Sequence, residues 1–468
     1  MHNEQVFTPE HVVNKMLDGI GYNSGIRKKH IIDNSCGDGA FLKCIVIRYI
    51  VEGYREMLSV REIISELEEY IHGIEIDRET YEKCLETLHE TIRKRFGDDV
   101  KVKFDIRCCD ALETNDFDGK MNYVVGNPPY CKVHDFKENY EKYKKFNFCQ
   151  DSNTDLYLAF FEKGIQMMAP NNAILSYITP NSWFTSKAGL NMRKYLIENG
   201  LIHNIINFGS ERIFEDATTF TCITMLDNIF NYHKDRFGYR EGFDNEMRIM
   251  QYKTSVIDGN LYFADEETLK NVENMLLNDT IHHKIYVKNG FATLNDKLFI
   301  NVLDNDKDNT TENYIPMVKA STGKQCMGVF PYNKKGKPLE FEELDEKTKD
   351  YLLEKATILD IDLHDDKKWW LYGRTQAIND VHKKKFTVSQ LIKGKDSIKI
   401  TEAPEGTGVY GGLYIVSDEI DLTNEKLEEI LKTDEFIDYV KVVGMNKNGG
   451  YMYINSKNLQ KFINFSLI

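Results

Sequence analysis

The apolar and polar residues of the first half of the chain follow two alternating periods. Short apolar runs bounded by turn residues predict strands, and amphipathic segments between them predict helices. The first predicted helix begins with Thr8 as N-cap and Pro9 at its first helical position. The predicted strands are 30–33, 71–76, 100–108, 122–126, 173–178, 202–208 and 221–226, and the predicted helices are 5–17, a segment ending at 50, 60–70, 79–96, 156–168 and 189–199.

Strands that alternate with helices in this way are typical of an α/β fold, in which a doubly wound, mostly parallel sheet carries helices on both faces. The regular alternation fades after about residue 235, where polar loops such as 304–313 and isolated strand pieces replace it. A chain of 468 residues also exceeds the size of one ordinary domain. The sequence therefore predicts an α/β domain over 1–240 and a mixed α+β domain over 241–468.

Composition limits the class of protein. Hydrophobic residues make up 41% of the chain and charged residues 29%, as in globular proteins. No run of about 18 apolar residues is present, and the N-terminal segment lacks the pattern of a signal peptide, so neither a membrane span nor export is expected. The nine cysteines form no CxxC pair, so we expect no metal site, and unpaired thiols are typical of the reducing cytoplasm.

The loop after the first predicted strand carries both glycines and acids. Gly37 and Gly39 allow a tight turn and a close approach of the backbone to a ligand. Asp33 and Asp38 would repel a pyrophosphate, which disfavours a dinucleotide. A cationic ligand with an amino-acid tail fits this loop better. An acid at the end of the second strand, Glu75, can accept hydrogen bonds from both hydroxyls of a ribose.

The loop Asn127-Pro128-Pro129-Tyr130 follows the apolar strand at 122–126. Two prolines stiffen the loop and remove two backbone donors. The side-chain carbonyl of Asn127 and the backbone carbonyl of Pro128 remain as acceptors. Two acceptors can hold an exocyclic amine and orient its nitrogen lone pair toward an electrophilic methyl group. Tyr130 offers an aromatic face on which a base can stack, a contact worth about 1–3 kcal/mol.

Five segments, in this order, resemble the motif series of the gamma-class, TaqI-like amino-methyltransferases: FTPEHVV (7–13), DNSCGDGAFL (33–42), GIEID (73–77), CDAL (109–112) and NPPY (127–130). The resemblance implies a Rossmann-like methyltransferase domain that uses S-adenosylmethionine, followed by a target-recognition domain that binds DNA. In the first loop, Asp38 stands where a small residue is more typical. The implied cofactor-binding positions are Thr8 and Pro9 at the methionine end, Asp33, Cys36 and Gly37 in the same pocket, Glu75 at the ribose, Asp110 at the cofactor adenine, and Asn127.

The same resemblance implies that Asn127, Pro128 and Tyr130 hold a flipped adenine and that its N6 amine is methylated. An aromatic residue further along the chain stacks on the other face of the base in this family. Phe214 is the best match for that residue and Phe220 the second. On this interpretation Asn127→Ala abolishes transfer and Tyr130→Phe is tolerated, and no general base or metal is needed.

A basic segment in the second half is the candidate DNA contact. Residues 365–400 include nine Lys or Arg residues and four Asp residues. This gives the segment a local net charge of +5 in a chain of net charge −14. Lysines would position phosphates, whereas Arg374 or Gln376 could read base edges. Trp369 and Trp370 lie in the same segment. Because tryptophan is usually buried, a place in the core is at least as well supported for this pair as a contact with DNA. The predicted DNA-binding residues are Lys367, Lys368, Arg374, Gln376, Lys383 and Lys384.

Three alternatives stay open at this point. An N4-cytosine methyltransferase more often has Ser as the first residue of the motif, so Asn127 favours adenine. Protein-glutamine methyltransferases that use NPPY resemble shorter chains without a large C-terminal domain. A catalytically dead DNA-specificity subunit is disfavoured by the intact motif. We therefore expect a monomer acting on double-stranded DNA in the bacterial or archaeal cytoplasm, with a separate endonuclease completing a restriction-modification system.

Overall fold

The structure, a computed structural model, describes residues 8–132, 140–151, 154–214, 220–229, 234–300, 311–363 and 368–467. These residues form two compact units, which divide between Ala264 and Asp265. The sequence placed the boundary earlier, at 240/241, because the last strands of the first unit lack a regular apolar pattern. The roles assigned to the two domains stay predictions.

The first unit contains helices and short strands in the order that the apolar pattern predicted. Its helices are α1 (Glu10–Gly19), α2 (Ala40–Arg55), α3 (Val60–Tyr70), α4 (Arg78–Phe96), α5 (Tyr140–Tyr143), α6 (Leu156–Met167), α7 (Leu190–Glu198) and α8 (Tyr252–Ser255). Its strands are β1 (Ile31–Asp33), β2 (Ile71–Glu75), β3 (Asp105–Cys108), β4 (Tyr123–Gly126), β5 (Ile174–Pro180), β6 (Ile202–Asn207), β7 (Thr221–Asp227), β8 (Arg236–Glu241), β9 (Arg248–Gln251), β10 (Val256–Ile257) and β11 (Asn260–Leu261).

Nine of these strands form one sheet in the order β3-β2-β1-β4-β5-β7-β6-β8-β9. Strands β1 to β5 pair in parallel, whereas β7 runs antiparallel to both β5 and β6. The strand order reverses direction between β1 and β4, so the chain crosses to opposite sides of the sheet there. Open α/β sheets bind ligands at such a switch point, outside the carboxyl ends of the strands.

Local sequence explains where the helices of this sheet begin. Ser59 and Glu62 form a capping box at the start of α3, and Asp77 caps α4 by accepting from the Thr80 N–H at 2.9 Å. Each such cap contributes about 1 kcal/mol. The prediction for α1 was one position off, because the helix begins at Glu10 with Pro9 as its N-cap, and Thr8 precedes it.

The first core lies between the sheet and the helices α1 to α4. Val12 and Met16 of α1, Leu42 and Ile45 of α2, and Ile71 of β2 are all fully buried in it. Their spacing follows the helical and strand periods of the sequence, which is why the apolar pattern located the elements. Strands β8 and β9 extend the sheet past residue 240.

The second unit is a mixed α+β structure of three smaller sheets. Its helices are α9 (Glu266–Leu277), α10 (Asp296–Phe299), α11 (Glu346–Ile358), α12 (Asn424–Leu431), α13 (Asp434–Val443) and α14 (Ser456–Ser466). Its strands are β12 (Ile285–Asn289), β13 (Tyr314–Lys319), β14 (Lys324–Val329), β15 (Lys385–Val388), β16 (Leu391–Ile392), β17 (Ile400–Ala403), β18 (Gly408–Tyr410), β19 (Leu413–Ser417), β20 (Met445–Lys447) and β21 (Tyr451–Tyr453). The sheets have the orders β12-β19-β15-β17, β14-β13-β18 and β16-β21-β20.

The second unit has its own core around Phe291, Phe299 and Tyr372. Trp369 and Trp370 are partly buried and pack against this core, and the Trp370 Nε1–H donates to the Leu339 carbonyl oxygen at 3.1 Å. Their packing supports the core interpretation for the tryptophan pair. No helix in the described parts of the chain is both long enough and apolar enough to cross a membrane.

Candidate functional site at the carboxyl edge of the sheet

Three predicted loops meet because the strands that precede them are neighbours in the sheet. Asp33 at the end of β1 pairs with Gly73 of β2 on one side and with Val125 of β4 on the other. The residues that follow these positions therefore leave the sheet at one edge. This edge brings together the glycine-rich loop, Glu75 and the NPPY loop, which lie far apart along the chain.

Backbone hydrogen bonds shape the glycine-rich loop around Glu75. The Gly37 N–H donates to Glu75 Oε2 at 3.0 Å, and the Asp77 N–H donates to Glu75 Oε1 at 2.9 Å. The Cys36 N–H donates to the Ile74 carbonyl oxygen at 2.9 Å, which ties the loop to β2. Gly37 has a φ of +55°, a conformation that favours glycine. Glu75 thus organises the loop before any ligand binds.

Gly126 brings the NPPY loop into close contact with the first loop. A Cβ on Gly126 would lie 2.7 Å from Asp33 Oδ1 and 3.2 Å from Ser35 Oγ, and its φ is +156°. Any larger residue would separate the two loops. The Ser35 hydroxyl is buried, and its oxygen has no hydrogen-bond partner among the described residues. The contact places Asn127 immediately next to the acidic loop.

The site concentrates buried and half-buried carboxyl groups. Burial raises the pKa of Asp33 to about 8, and the nearby carboxyl groups of Glu75 and Asp38 act in the same direction. Burial likewise raises the pKa of Glu75 and of Asp38, although backbone N–H groups donate to both carboxylates and partly oppose the rise. Carboxyl groups of this kind favour a ligand that brings positive charge and hydroxyl donors.

Tyr130 contacts both Asn127 and the next strand. Its hydroxyl donates to Asn127 Oδ1 at 2.5 Å and lies 3.2 Å from the Ile178 carbonyl oxygen. Burial of this hydroxyl raises the pKa of Tyr130 well above its ordinary value, so the group stays a neutral donor. The residue as a whole remains half-buried, and Pro128 is buried. Tyr130 therefore fixes the orientation of the Asn127 amide as well as offering a ring.

Asp110 has a cationic partner that the sequence did not reveal. Lys142 of α5 pairs with Asp110, and its Nζ also lies 2.9 Å from Glu113 Oε1. The Leu112 N–H donates to Asp110 Oδ1 at 2.8 Å and orients the carboxylate. No local signal marks Lys142, because α5 is a single short turn that follows the NPPY loop.

The remaining predicted positions of the first unit are distributed as follows. Thr8 is buried next to Pro9, and Cys36 is buried with its Sγ 3.9 Å from Cys84 Sγ. Phe214 is only 5% exposed and belongs to the first core, whereas Phe220 is half-buried directly before β7. The burial of Phe214 favours Phe220 as the second stacking residue, and both assignments stay predictions.

The predicted DNA-binding residues of the second unit differ in whether their side chains already have partners within the protein. Lys383 and Lys384 form ion pairs of 2.7 Å and 2.8 Å with Asp418 and Asp421, and Lys368 pairs with Glu340. Lys367 lies outside the described residues. Two predicted DNA-binding residues remain. Arg374 is exposed, and the Gln376 Nε2–H donates to the Gly290 carbonyl oxygen at 2.8 Å.

Residues 55–214 match the Eco57I restriction-modification methylase family. The chain is 25% identical to the type II restriction enzyme and methyltransferase RM.Eco57I of Escherichia coli, over 80% of this chain and 48% of the relative. It is also 25% identical to the type II methyltransferase M.BstVI of Geobacillus stearothermophilus, over 49% of this chain and 42% of the relative. The chain thus spans less than half the length of these curated relatives.

Solved structures of restriction-modification enzymes share the fold. The enzyme MmeI in complex with DNA aligns with a TM-score of 0.64 at 13% identity, over 96% of this chain and 63% of that one. A nuclease-deletion mutant of LlaGI in complex with a DNA substrate mimic aligns with a TM-score of 0.60 at 12% identity, over 99% of this chain and 46% of that one. Together these matches confirm the predicted α/β fold and the resemblance to restriction-modification methyltransferases.

Proposed function

We propose that this chain, which resembles restriction-modification DNA methyltransferases in motif order, sequence and fold, methylates the N6 amine of adenine in double-stranded DNA. The observation that carries the proposal is the contact between the acidic, glycine-rich loop and the NPPY loop across Gly126. An electron-poor methyl donor held by the first loop and an amine held by the second would be neighbours at this edge of the sheet.

The acidic loop fits S-adenosylmethionine as the methyl donor. Asp33 is a buried carboxyl group whose neighbours Glu75 and Asp38 are also acidic, so the positive charges of a sulfonium and an ammonium group would favour its ionised form. Glu75 can accept from the ribose hydroxyls at the end of β2, and the Ser35 hydroxyl is a buried group without a partner in the described structure. Thr8, Pro9, Cys36 and Gly37 would line the methionine end, and Asp110 would accept from the adenine amine of the cofactor.

The NPPY loop fits an amine that donates two hydrogen bonds; when the N6–methyl bond forms and the sulfur–methyl bond breaks, one N6 proton would pass to solvent. Asn127 Oδ1 and the Pro128 carbonyl oxygen are the acceptors that hold the two N–H groups of adenine N6. Because both prolines lack an N–H, neither residue contributes a backbone donor that competes with the amine. The Tyr130 hydroxyl keeps the Asn127 amide oriented with its oxygen in the site. When bound, S-adenosylmethionine supplies the electrophilic methyl group.

Adenine has to leave the duplex to reach this loop, at a cost of a few kcal/mol. The ring of Tyr130 offsets part of that cost by stacking, and Phe220 or Phe214 would stack on the other face. Methyl transfer then depends on proximity and orientation more than on acid-base chemistry. The second unit would supply the DNA contacts that select the site, and a separate endonuclease would make this a restriction-modification system.

Asn127→Ala tests the proposal directly. DNA from cells that express the chain is sequenced by a method that detects modified bases, and N6-methyladenine at a defined site is expected for the unmodified chain. The variant should lose this mark, while its affinity for S-adenosylmethionine stays within a few-fold in calorimetry. Asn34→Ala is not a suitable control, because Asn34 Oδ1 accepts from the Tyr177 hydroxyl in the core at 2.8 Å.

Asn171→Ala is the matched control, since Asn171 is exposed in the segment before β5, at the opposite end of that strand from the loops, and it should methylate normally. Methylation retained by Asn127→Ala would contradict the assignment of the acceptor. A mark found at N4 of cytosine would instead support the cytosine-specific alternative.

A further inference from the structure

The second unit carries a leucine in an unusual position. Leu294 is 77% exposed, and its backbone has a φ of +61°. Leucine rarely adopts this left-handed conformation, because its Cβ then approaches the following carbonyl group. The next residue, Asn295, starts α10 by accepting from the Leu298 N–H at 3.3 Å, so the turn is built into the chain. An exposed apolar side chain on a strained backbone position indicates a binding role.

A second strand segment holds the leucine in place. Ala292 and Arg374 form an isolated antiparallel bridge with hydrogen bonds of 3.0 Å and 3.1 Å. A Cβ on Gly373 would lie only 2.0 Å from Leu294 Cδ1 and 2.4 Å from its Cγ. The leucine therefore lies across the backbone of Gly373, directly beside Arg374. A side chain at 373 would therefore displace the leucine from this position.

Arg374 is distinct from the other cations of this unit. It is the one arginine among residues 265–468 of the sequence. It is exposed, and its guanidinium has no hydrogen bond or ion pair among the residues that the structure describes. Lys383 and Lys384, by contrast, are paired with Asp418 and Asp421. Arginine is also the side chain best suited to donate two hydrogen bonds to one guanine edge.

Both segments rest on a rigid base. Phe291 and Tyr372 are buried and stack with their ring centroids 4.6 Å apart and their planes at 20°. The Tyr372 hydroxyl donates to the Val329 carbonyl oxygen, and Gln376 Nε2–H donates to the Gly290 carbonyl oxygen at 2.8 Å. Fixed supports of this kind hold a binding group in one geometry, which recognition requires.

We propose that the segments 292–295 and 373–376, here called the Leu294–Arg374 loop pair, read duplex DNA. Leu294 packs as a wedge against bases that unstack when the duplex bends, and Arg374 donates hydrogen bonds to an adjacent base edge. An apolar wedge beside an arginine matches the surface of a base pair. The base pair offers a flat apolar face to the wedge and a polar edge to the arginine. The inference rests on the proposed function only in taking DNA as the substrate.

Selection from a random DNA pool tests the inference without requiring methyl transfer. The full chain is mixed with short duplexes whose central base pairs are randomised, and the bound DNA is sequenced. The unmodified chain should enrich one sequence motif. Arg374→Lys should lose the preference at one base pair, while its binding to unselected duplex stays within about twofold. Leu294→Ala should bind the enriched duplex about tenfold more weakly, the size of one lost base contact.

Two further variants separate the wedge from a general loss of apolar surface. Gly373→Ala keeps the leucine but displaces it, so it should weaken binding as Leu294→Ala does. Leu277→Ala is the matched control, because Leu277 is 57% exposed at the end of α9 in the same unit, and it should bind normally. Thermal unfolding confirms that each variant is folded.

Binding by Leu294→Ala that equals binding by Leu277→Ala would overturn the inference, and so would an Arg374→Lys variant that enriches the unchanged motif. Failure of the unmodified chain to enrich any motif would overturn it as well. Methylation is scored separately on the enriched duplex. A chain that enriches a motif but transfers no methyl group would contradict the proposed function, whereas the variants would still decide the role of the loop pair.

Discussion

At the scale of single residues, the buried carboxyl groups of the candidate site lower the stability of the fold as pH rises. Asp33 is buried beside Glu75 and Asp38, and burying carboxyl groups together costs free energy. A pKa of about 8 means that the folded state retains a proton that the unfolded state, with an ordinary value of 3.8, has already released at neutral pH. The contribution of Asp33 to the free energy of unfolding therefore falls as pH rises between these two values.

Asp33→Asn should consequently stabilise the fold and weaken ligand binding. The amide carries no charge to desolvate, so the free energy of unfolding should increase more at pH 8 than at pH 5 in urea denaturation. Affinity for S-adenosylmethionine should fall at least about tenfold, because the carboxyl group of Asp33 can ionise opposite a bound cation and the amide of Asn cannot. An unchanged affinity in calorimetry would remove Asp33 from the cofactor site.

The hydroxyl of Tyr130 changes a prediction made from the sequence. Tyr130→Phe was expected to be tolerated, yet it deletes the 2.5 Å hydrogen bond to Asn127 Oδ1. Such a bond contributes about 1 kcal/mol, so kcat should fall about fivefold. Tyr130→Ala also loses the stacking face and should fall further.

Tyr22→Phe is the control for Tyr130→Phe, since the Tyr22 hydroxyl is buried without a hydrogen-bond partner in the described structure. Single-turnover methylation assays measure the step concerned. Equal rates for Tyr130→Phe and the unmodified chain would mean that Asn127 does not depend on this contact.

At the scale of elements, two acids on either side of Ile76 have different roles. Glu75 ends β2 and accepts from two loop N–H groups, whereas Asp77 starts α4 and accepts from the Thr80 N–H and hydroxyl at 2.9 Å and 2.8 Å. Hydrogen bonds from Thr80 lower the pKa of Asp77, as expected for a helix cap in solvent. The same loop thus contains one acid that shapes the loop and that we propose binds the ribose, and one acid that caps a helix.

Asp77→Ala and Glu75→Gln should separate these roles. The first removes an N-cap and should lower the free energy of unfolding by about 1 kcal/mol, with cofactor affinity unchanged within about twofold. The second should weaken cofactor binding about tenfold, because an amide replaces the carboxylate that accepts from the ribose. Thermal unfolding and calorimetry on both variants measure the two effects. A loss of affinity in Asp77→Ala alone would reverse the assignment.

At the scale of the whole molecule, the two compact units should respond to different ligands. Hydrogen exchange followed by mass spectrometry measures this in the full chain. S-adenosylmethionine should slow exchange in the loops 33–39, 73–77 and 127–130, and specific duplex DNA should slow it in 290–296 and 372–376. A ligand that binds only the folded form of a site reduces its local opening, and the reduction grows as the ligand concentration exceeds Kd. Protection of the second unit by the cofactor alone would contradict this division of roles.

Much of the first unit could be predicted from its sequence. Apolar spacing located β1, β2, β4 and the helices α3 and α4 closely, because these periods reflect which face of each element is buried. Glycines, prolines and acids at the ends of strands marked the three loops. Strands β8 and β9 of the first unit and β20 of the second escaped the prediction, since each is short and lacks a regular apolar alternation.

The order of the elements and the chemistry of the three loops were determined by the sequence itself, because hydrophobic period, turn residues and functional groups are local properties of a chain. Only the tertiary structure decided that Tyr130 meets Asn127, that Lys142 pairs with Asp110, that Phe214 is buried, and that Leu294 lies on Gly373. Each of these contacts depends on how side chains and backbone pack in three dimensions, which spacing along the chain does not encode.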